Sequence, residues 1–420
     1  SSWLPFGSDQ TLSSMAKLSG RIMPELKGVL TGRYSENERR PYSHSWKYIP
    51  DQYRRVREKS RQLIASFTHT VAANLFYDLR VSYFSQSYYS GVDKDTSQYI
   101  GLGDWSYLSD KGTGFEFYAV RDPIELTDNR TSTFNAKIDF VWQLEKRHEV
   151  KGGFELKKHN LKYFDVYDPK RNFPYITNFT KNPLEGVGYV QDKIEMNAFV
   201  MNLGLRFDYA DQLSPFRSNP LNPTSVVDSK PKLQWSPRLG VAHPISDRTS
   251  LHFSYGHFFQ NPDYTRLYEN SQYDVNVREP IFGQPNLDAE RTTAYEVGVS
   301  HQFGEAIVGS FTAYYKDVIG LVGTQYFFPF VEGRYVGYTL YVNEAYANIK
   351  GFEARVDLRR TKYLSGSLTY TYSVAKGSAS SETEDYPGTT ASTLLYPLSF
   401  DKPHLFNLNA NLYLPEKTGF

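Results

Sequence analysis

Apolar and polar residues alternate with a period of two in segment after segment of this chain, and few folds tolerate that pattern for so long. Between 198 and 209, Phe199, Met201, Leu203, Leu205, Phe207 and Tyr209 fall on one face, and Asn202, Gly204, Arg206 and Asp208 on the other. Residues 352–359 set Phe352, Ala354, Val356 and Leu358 against Glu353, Arg355, Asp357 and Arg359. Residues 363–375 and 406–414 repeat the scheme, with Leu368, Tyr370 and Tyr372 opposed to serines and threonines, and Leu408 and Leu412 opposed to asparagines. A helix needs apolar spacings of three and four, which these segments lack.

The same reading along the chain predicts about fifteen strands. They lie near 11–22, 24–36, 59–71, 73–89, 131–144, 149–165, 187–197, 198–211, 232–243, 247–260, 291–303, 305–317, 346–359, 363–376 and 402–414. A 13-residue strand tilted near 40° rises on the order of 33 Å, more than the roughly 25 Å apolar band of an outer-membrane barrel. The connections sort by length. Tight turns are expected at Arg21–Pro24, Val71–Ala73, Glu145–His148, Met196–Asn197, Pro244–Asp247, Phe303–Glu305 and Arg360–Lys362. Long segments fall between them, at 37–58, 90–130, 166–186, 212–231, 261–290, 318–345 and 377–401. Short turns at one end and long loops at the other are the arrangement of bacterial barrels, with the long loops outside the cell. The fold class read from this is all-β, an antiparallel transmembrane β-barrel.

Composition agrees. Aromatics make up 16% of the 420 residues, yet mean hydropathy is −0.53. A barrel reconciles the two, because apolar side chains face lipid and polar ones face the lumen. No stretch approaches the roughly 20 apolar residues of a membrane helix. The opening residues SSWLPFGSDQ hold no basic segment followed by an apolar run, so a signal peptide is not read here. With 47 basic and 46 acidic side chains and net charge +1, the balance gives no reason to expect nucleic acid as a partner. The absence of cysteine excludes disulfides, thiolate metal sites and cysteine nucleophiles.

An odd strand count leaves two unpaired edges, which lipid cannot satisfy. Residues 1–420 are therefore expected to form a single barrel domain that is incomplete at one or both ends. If the N-terminus of the whole barrel lies in the periplasm, an odd number of strands is expected before Ser1 and an even number after Phe420.

A local pattern then appears at 236–303. Ser236-Pro237-Arg238-Leu239-Gly240 leads to Phe253-Ser254-Tyr255-Gly256, then to Gly283-Gln284-Pro285-Asn286-Leu287-Asp288-Ala289-Glu290, closed by Tyr295-Glu296-Val297-Gly298. With Asn343 to Glu353 further on, this resembles the barrel of TonB-dependent outer-membrane receptors. Gln284 and Ala289 depart from that family's usual Asn and Pro without breaking the strand pattern. The resemblance implies a barrel of twenty-two strands, three more before this chain and four after, and a plug domain that these residues do not contain. It also implies a receptor that binds a scarce ligand with external loops and imports it by coupling to an inner-membrane energy-transducing protein. A passive porin-like channel and a surface adhesin or structural barrel are the alternatives.

For recognition, the exposed aromatics of two loops are the candidates: Tyr99, Trp105, Tyr107, Phe115 and Tyr118 in 90–130, and Phe173 and Tyr175 in 166–186. Rings set among polar residues suit stacking on a chelate, a glycan or a peptide, or packing loop on loop. Arg206, Asp208, Glu353, Arg355, Asp357 and Arg359 are the lumen-facing candidates, read as pairing with one another or with a plug. Pro285 to Glu296 reads as the end of an external loop and the start of a strand. His252 and His257 are five apart on one strand, hence on opposite faces, and no histidine pattern supports a metal site. His252 and Ser254 share a face, but i,i+2 neighbours on a strand lie some 6–7 Å apart, too far for a nucleophile and its base. No enzyme activity and no cofactor are expected. Expected partners are outer-membrane lipid, the energy-coupling protein implied by the resemblance, and, for a glycan importer, a surface lipoprotein lid.

Overall fold

The computed structural model describes residues 7–48, 53–92, 107–109, 116–118, 125–167, 174–277, 279–381 and 395–414. Fifteen long strands organise them: β1 (Ser8–Met23), β2 (Leu26–Arg40), β3 (Arg55–Ala72), β4 (Leu75–Gly91), β5 (Glu125–Glu145), β6 (His148–Tyr167), β7 (Leu184–Glu195) and β8 (Val200–Asp211). The second half adds β9 (Lys232–Ser246), β10 (Thr249–Gln260), β11 (Glu290–Phe303), β12 (Ile307–Phe327), β13 (Tyr338–Leu358), β14 (Leu364–Gly377) and β15 (His404–Leu412). Each pairs antiparallel with its sequence neighbours, so the sheet is a meander whose outermost strands are β1 and β15. All fifteen predicted segments are strands, and every expected tight turn lies at a strand-to-strand junction on one end of the sheet.

The registers carry the alternation from strand to strand. Leu205 of β8 faces Val190 on one side and Pro237 on the other, while Arg206 faces Tyr189 and Ser236. A one-residue slip anywhere would exchange the two faces, so the long apolar rows fix the register. Leu203, Val297, Phe406 and Leu408 are all exposed on the outer face, where a soluble protein would bury them. At the tight turn between β11 and β12, Gly304 takes φ +65°, the left-handed region open to glycine without strain.

Two expectations are corrected. The segment 318–345 was expected to be a loop, but β12 and β13 run through most of it and end in a small hairpin of Phe330–Val331 with Arg334–Tyr335. Register shifts around Leu321 break the alternation there, and these strand ends pack into the loop layer, where Val322, Thr339 and Tyr341 are buried, so the apolar-out, polar-in signal fades. The segment 166–186 likewise holds a strand, Tyr175–Lys181, folded back on the upper end of β6. Among the described residues, helix is confined to single turns at His44–Trp46 and Tyr264–Tyr268.

The buried core is small and lies at the long-loop end. Leu161, Phe179, Leu267, Tyr268, Leu287, Val322 and Tyr341 form its main cluster.

Candidate functional site

Two surfaces can meet a ligand or a partner: the inner wall and the loop layer above it. On the inner wall, charges pair along their own strands. Arg206 grips Asp208 with Nε at 2.9 Å from Oδ2 and Nη2 at 2.7 Å from Oδ1. Arg355 holds Asp357 in the same way, Nε at 2.7 Å and Nη2 at 2.6 Å. The i,i+2 spacing of a strand places both side chains on one face, and the guanidinium fork fits a carboxylate in two bonds. Thr312 and Thr371, the register partners of Glu353 on either side, put that residue on the same inner face, whereas Arg359 lies just past β13, its backbone N–H donating to Ala306 at 2.8 Å. A groove of about 650 Å³ runs up this wall, lined among others by Gln191, Asn202, Arg238, Ser254, Glu296 and Lys316. Arg238 stacks its guanidinium 4.6 Å from the centre of the Phe258 ring beside it.

The loop layer is built on the segment between β10 and β11. Tyr264–Tyr268 makes one helical turn, and the chain then returns so that Gly283 N–H donates to Glu269 O at 2.8 Å and Gln284 N–H to Arg266 O at 3.0 Å. A Cβ on Gly283 would lie 2.5 Å from the Glu269 nitrogen, so only glycine allows this approach. Asn270, at φ +45°, suits the bend because its amide exchanges hydrogen bonds with the backbone of Asp274.

At the centre stands the Glu269 carboxylate. Tyr175 donates to its Oε1 at 2.7 Å, Tyr341 donates to its Oε2 at 2.7 Å, and Arg266 lies 3.8 Å away. Tyr175 belongs to the short strand on β6 and Tyr341 to β13, so one loop carboxylate links two walls separated by the whole arc of strands between them. Burial, followed by the field of Glu269, pushes the Tyr175 phenol far above its usual range. Tyr264 donates to Glu185 at 2.8 Å and is raised in the same way, burial first and then the charge of Glu185. Tyr268 donates to the Gln212 side chain at 2.7 Å, bringing the 212–231 loop into the layer.

The Pro285–Glu296 stretch ends a loop and starts a strand, as read from its sequence. Leu287 is buried, Asn286 accepts from the Lys230 backbone at 2.9 Å, and Asp288 pairs with Lys232 at 2.7 Å. Asn343 locks the same turn, accepting from the Asp288 N–H at 2.8 Å and donating to the carbonyls of Asp288 at 3.0 Å and Gly320 at 2.8 Å. β11 then starts at Glu290, and Tyr295 and Val297 reach the outer face.

Of the loop aromatics singled out from sequence, Tyr99, Trp105, Phe115 and Phe173 lie outside the described residues. Tyr107 and Tyr118 are register partners in a short hairpin of Tyr107–Ser109 with Glu116–Tyr118. Tyr175 is turned into the loop layer by its bonds to Glu269 and to the Ile281 carbonyl. Sequence reasoning missed Glu269, Arg266 and Tyr341, whose partners are 72 to 94 residues away in the chain for the two tyrosine bonds to Glu269. Nothing local marks such a cluster; the apolar-aromatic run Tyr264-Thr265-Arg266-Leu267-Tyr268 inside a loop was the one available signal. His252 faces Thr312 at 3.4 Å, and His257 faces Tyr255 at 2.8 Å on the opposite side. Among the described residues, no three His, Cys, Asp or Glu side chains converge as a metal-binding group.

Comparison with known proteins places this geometry. The model of the TonB dependent receptor-like β-barrel matches residues 6–418. The outer membrane transporter YddB from Escherichia coli superposes with a TM-score of 0.70 at 14% identity, covering 96% of this chain and 54% of that one. The FrpB iron transporter from Neisseria meningitidis gives 0.59 at 14% identity over 89% of this chain and 53% of its own. The alcaligin outer membrane receptor FauA from Bordetella pertussis gives 0.60 at 13% identity, over 97% and 58%. The chain thus spans little more than half the length of the structures it matches. No curated protein sequence matches it.

Proposed function

The chain belongs to the TonB-dependent receptor family, matched through the β-barrel domain, and from that premise we propose that it forms the wall of a gated outer-membrane importer. External loops capture a scarce ligand, and a plug within the barrel passes it when an inner-membrane partner supplies energy. The observation that supports this reading is the inner wall. Two of its carboxylates, Asp208 and Asp357, are already neutralised by the guanidiniums of Arg206 and Arg355, while hydrogen-bonding capacity remains along the groove. Such a surface suits a folded polar plug, which needs many moderate partners, better than an ion path, which needs unbalanced charge. Arg206, Asp208, Glu353, Arg355, Asp357 and Arg359 are assigned to plug contact.

The relatives described as an iron transporter and an alcaligin receptor make a ferric chelate the first ligand class to test. Cobalamin, peptides and glycans follow, the last with a surface lipoprotein lid. The test is uptake of labelled members of each class by cells that express the full-length protein. One class should accumulate, and a protonophore should abolish accumulation while leaving surface binding intact. Replacing residues 100–118 by a Gly/Ser linker should reduce uptake without reducing barrel abundance, because loops contribute little to strand pairing. Entry that is unaffected by the protonophore would instead favour the passive channel.

A further inference from the structure

The outer face of β3 to β6 changes chemistry over two residues of height. Register pairs define its rows: Phe67, Leu79, Ile138 and Phe154 form one, and Leu63, Tyr83, Phe134 and Lys158 form the second row above it. Two residues higher, about 5 Å at ordinary strand rise and tilt, the row reads Arg61, Ser85, Ser132 and Asn160. The next reads Lys59, Ser87, Arg130 and Lys162, and above it Arg57 pairs with Tyr89, and Arg55 with Gly91. The same parity that carries the lipid-facing residues below thus carries a field of cations above. They outnumber the carboxylates on this face: Glu38 pairs with Arg57 at 2.5 Å, Glu36 with Lys59 at 2.8 Å, and Asp128 stands 3.8 Å from Arg130.

The cations surround a depression. A groove of about 500 Å³ opens between β3 and β5, lined by Arg55, Arg57, Lys59, Ser87, Tyr89, Val92, Arg130 and one carboxylate, Asp128. Arg130 keeps 63% of its side chain exposed. Three arginines, a lysine and the Ser87 hydroxyl outweigh the single lining carboxylate of Asp128, so the hollow is cationic on balance and offers the donors a phosphate ester takes. The position selects the source. Directly below the groove the same strand faces are apolar, ending in the ring row of Tyr83 and Phe134, so a phosphate held here sits on the head of a molecule whose chains lie against that surface.

We propose that this groove binds the phosphorylated head group of an outer-leaflet glycolipid. The site depends on which face of the sheet points outward and not on what the barrel imports. It can be tested on the full-length protein in neutral detergent with a fluorescent bisphosphorylated diglucosamine lipid, its dephosphorylated analogue, and inorganic phosphate as competitor. The wild type should bind the phosphorylated lipid at least about tenfold more tightly than the analogue, a ratio worth about one charge-assisted contact. Arg55→Gln/Lys59→Gln/Arg130→Gln should lose that preference, whereas Lys27→Gln/Arg33→Gln/Arg80→Gln, three cations of the inner face, should keep it. Equal binding of both lipids by the wild type overturns the proposal without any variant having to fold. Equal loss in the inner-face variant overturns it as well, as does displacement by inorganic phosphate at the concentrations at which the lipid itself binds. None of these results bears on uptake, so the importer reading stands or falls separately.

Discussion

Glu269 shows how much one side chain can carry in a loop. Its two oxygens satisfy Tyr175 and Tyr341, and Glu269→Ala would leave the Tyr341 hydroxyl without that acceptor, at about 1–3 kcal/mol, and Tyr175 with only its longer bond to the Ile281 carbonyl. The expected outcome is local: a protease cuts 261–289 in the variant and not in the wild type, while both barrels remain folded by heat-modifiable gel mobility. Gly283→Ala should produce the same opening, because its methyl group would meet backbone rather than a side chain that could move away. Alkali supplies a third route. Burial and the carboxylate raise the Tyr175 pKa in the folded layer, so its contribution is fully present below the ordinary tyrosine value of about 10 and is lost as pH rises beyond it. Protease sensitivity of the layer should therefore appear above that pH, with the strands still intact by circular dichroism. This cluster was not legible in the sequence, since hydrogen bonds between residues 72 and 94 apart leave no local pattern.

At the scale of the strand, the sequence was far more readable, and the reason is physical. Within lipid a strand has one apolar and one polar environment, and Leu203, Leu205 and Phe207 against Asn202, Gly204 and Arg206 record that difference. Above lipid that contrast ends. The upper parts of β12 and β13, where Thr324 to Phe327 pair with Tyr338 to Tyr341, bury Tyr338, Thr339 and Tyr341 beneath the loop layer, so polar and aromatic residues lie inside and the alternation is lost. The paired charges of Arg206 with Asp208 and Arg355 with Asp357 were legible too, because i,i+2 spacing is itself the geometry. The assignment of faces can be tested directly. Leu203→Arg and Leu408→Arg should each cost roughly 2–4 kcal/mol of membrane stability near mid-bilayer, while Asn202→Arg and Asn409→Arg should cost little. Folding yields into liposomes compare the two classes, and equal yields would mean that the faces are reversed.

For the whole molecule, orientation is the property on which the other readings depend. The tight turns gather at one end and the long connections at the other, so an epitope inserted within 377–401 should be stained on intact cells and one at Pro244–Asp247 should not. Staining of the second alone would invert the topology and, with it, the direction of import. The loop between β10 and β11 adds a mechanical consequence to this picture. A curved sheet behaves like a bow, and the 261–289 segment strings the arc from β6 to β13, fastened at one end of that arc by Tyr175 and at the other by Tyr341. A string can be tied only after the bow is bent: in a flat or half-assembled sheet the two tyrosines stand too far apart to share a carboxylate. Concealment of this loop is therefore a report, readable from outside the cell by an antibody or a protease, that the wall beneath it has reached its proper curvature.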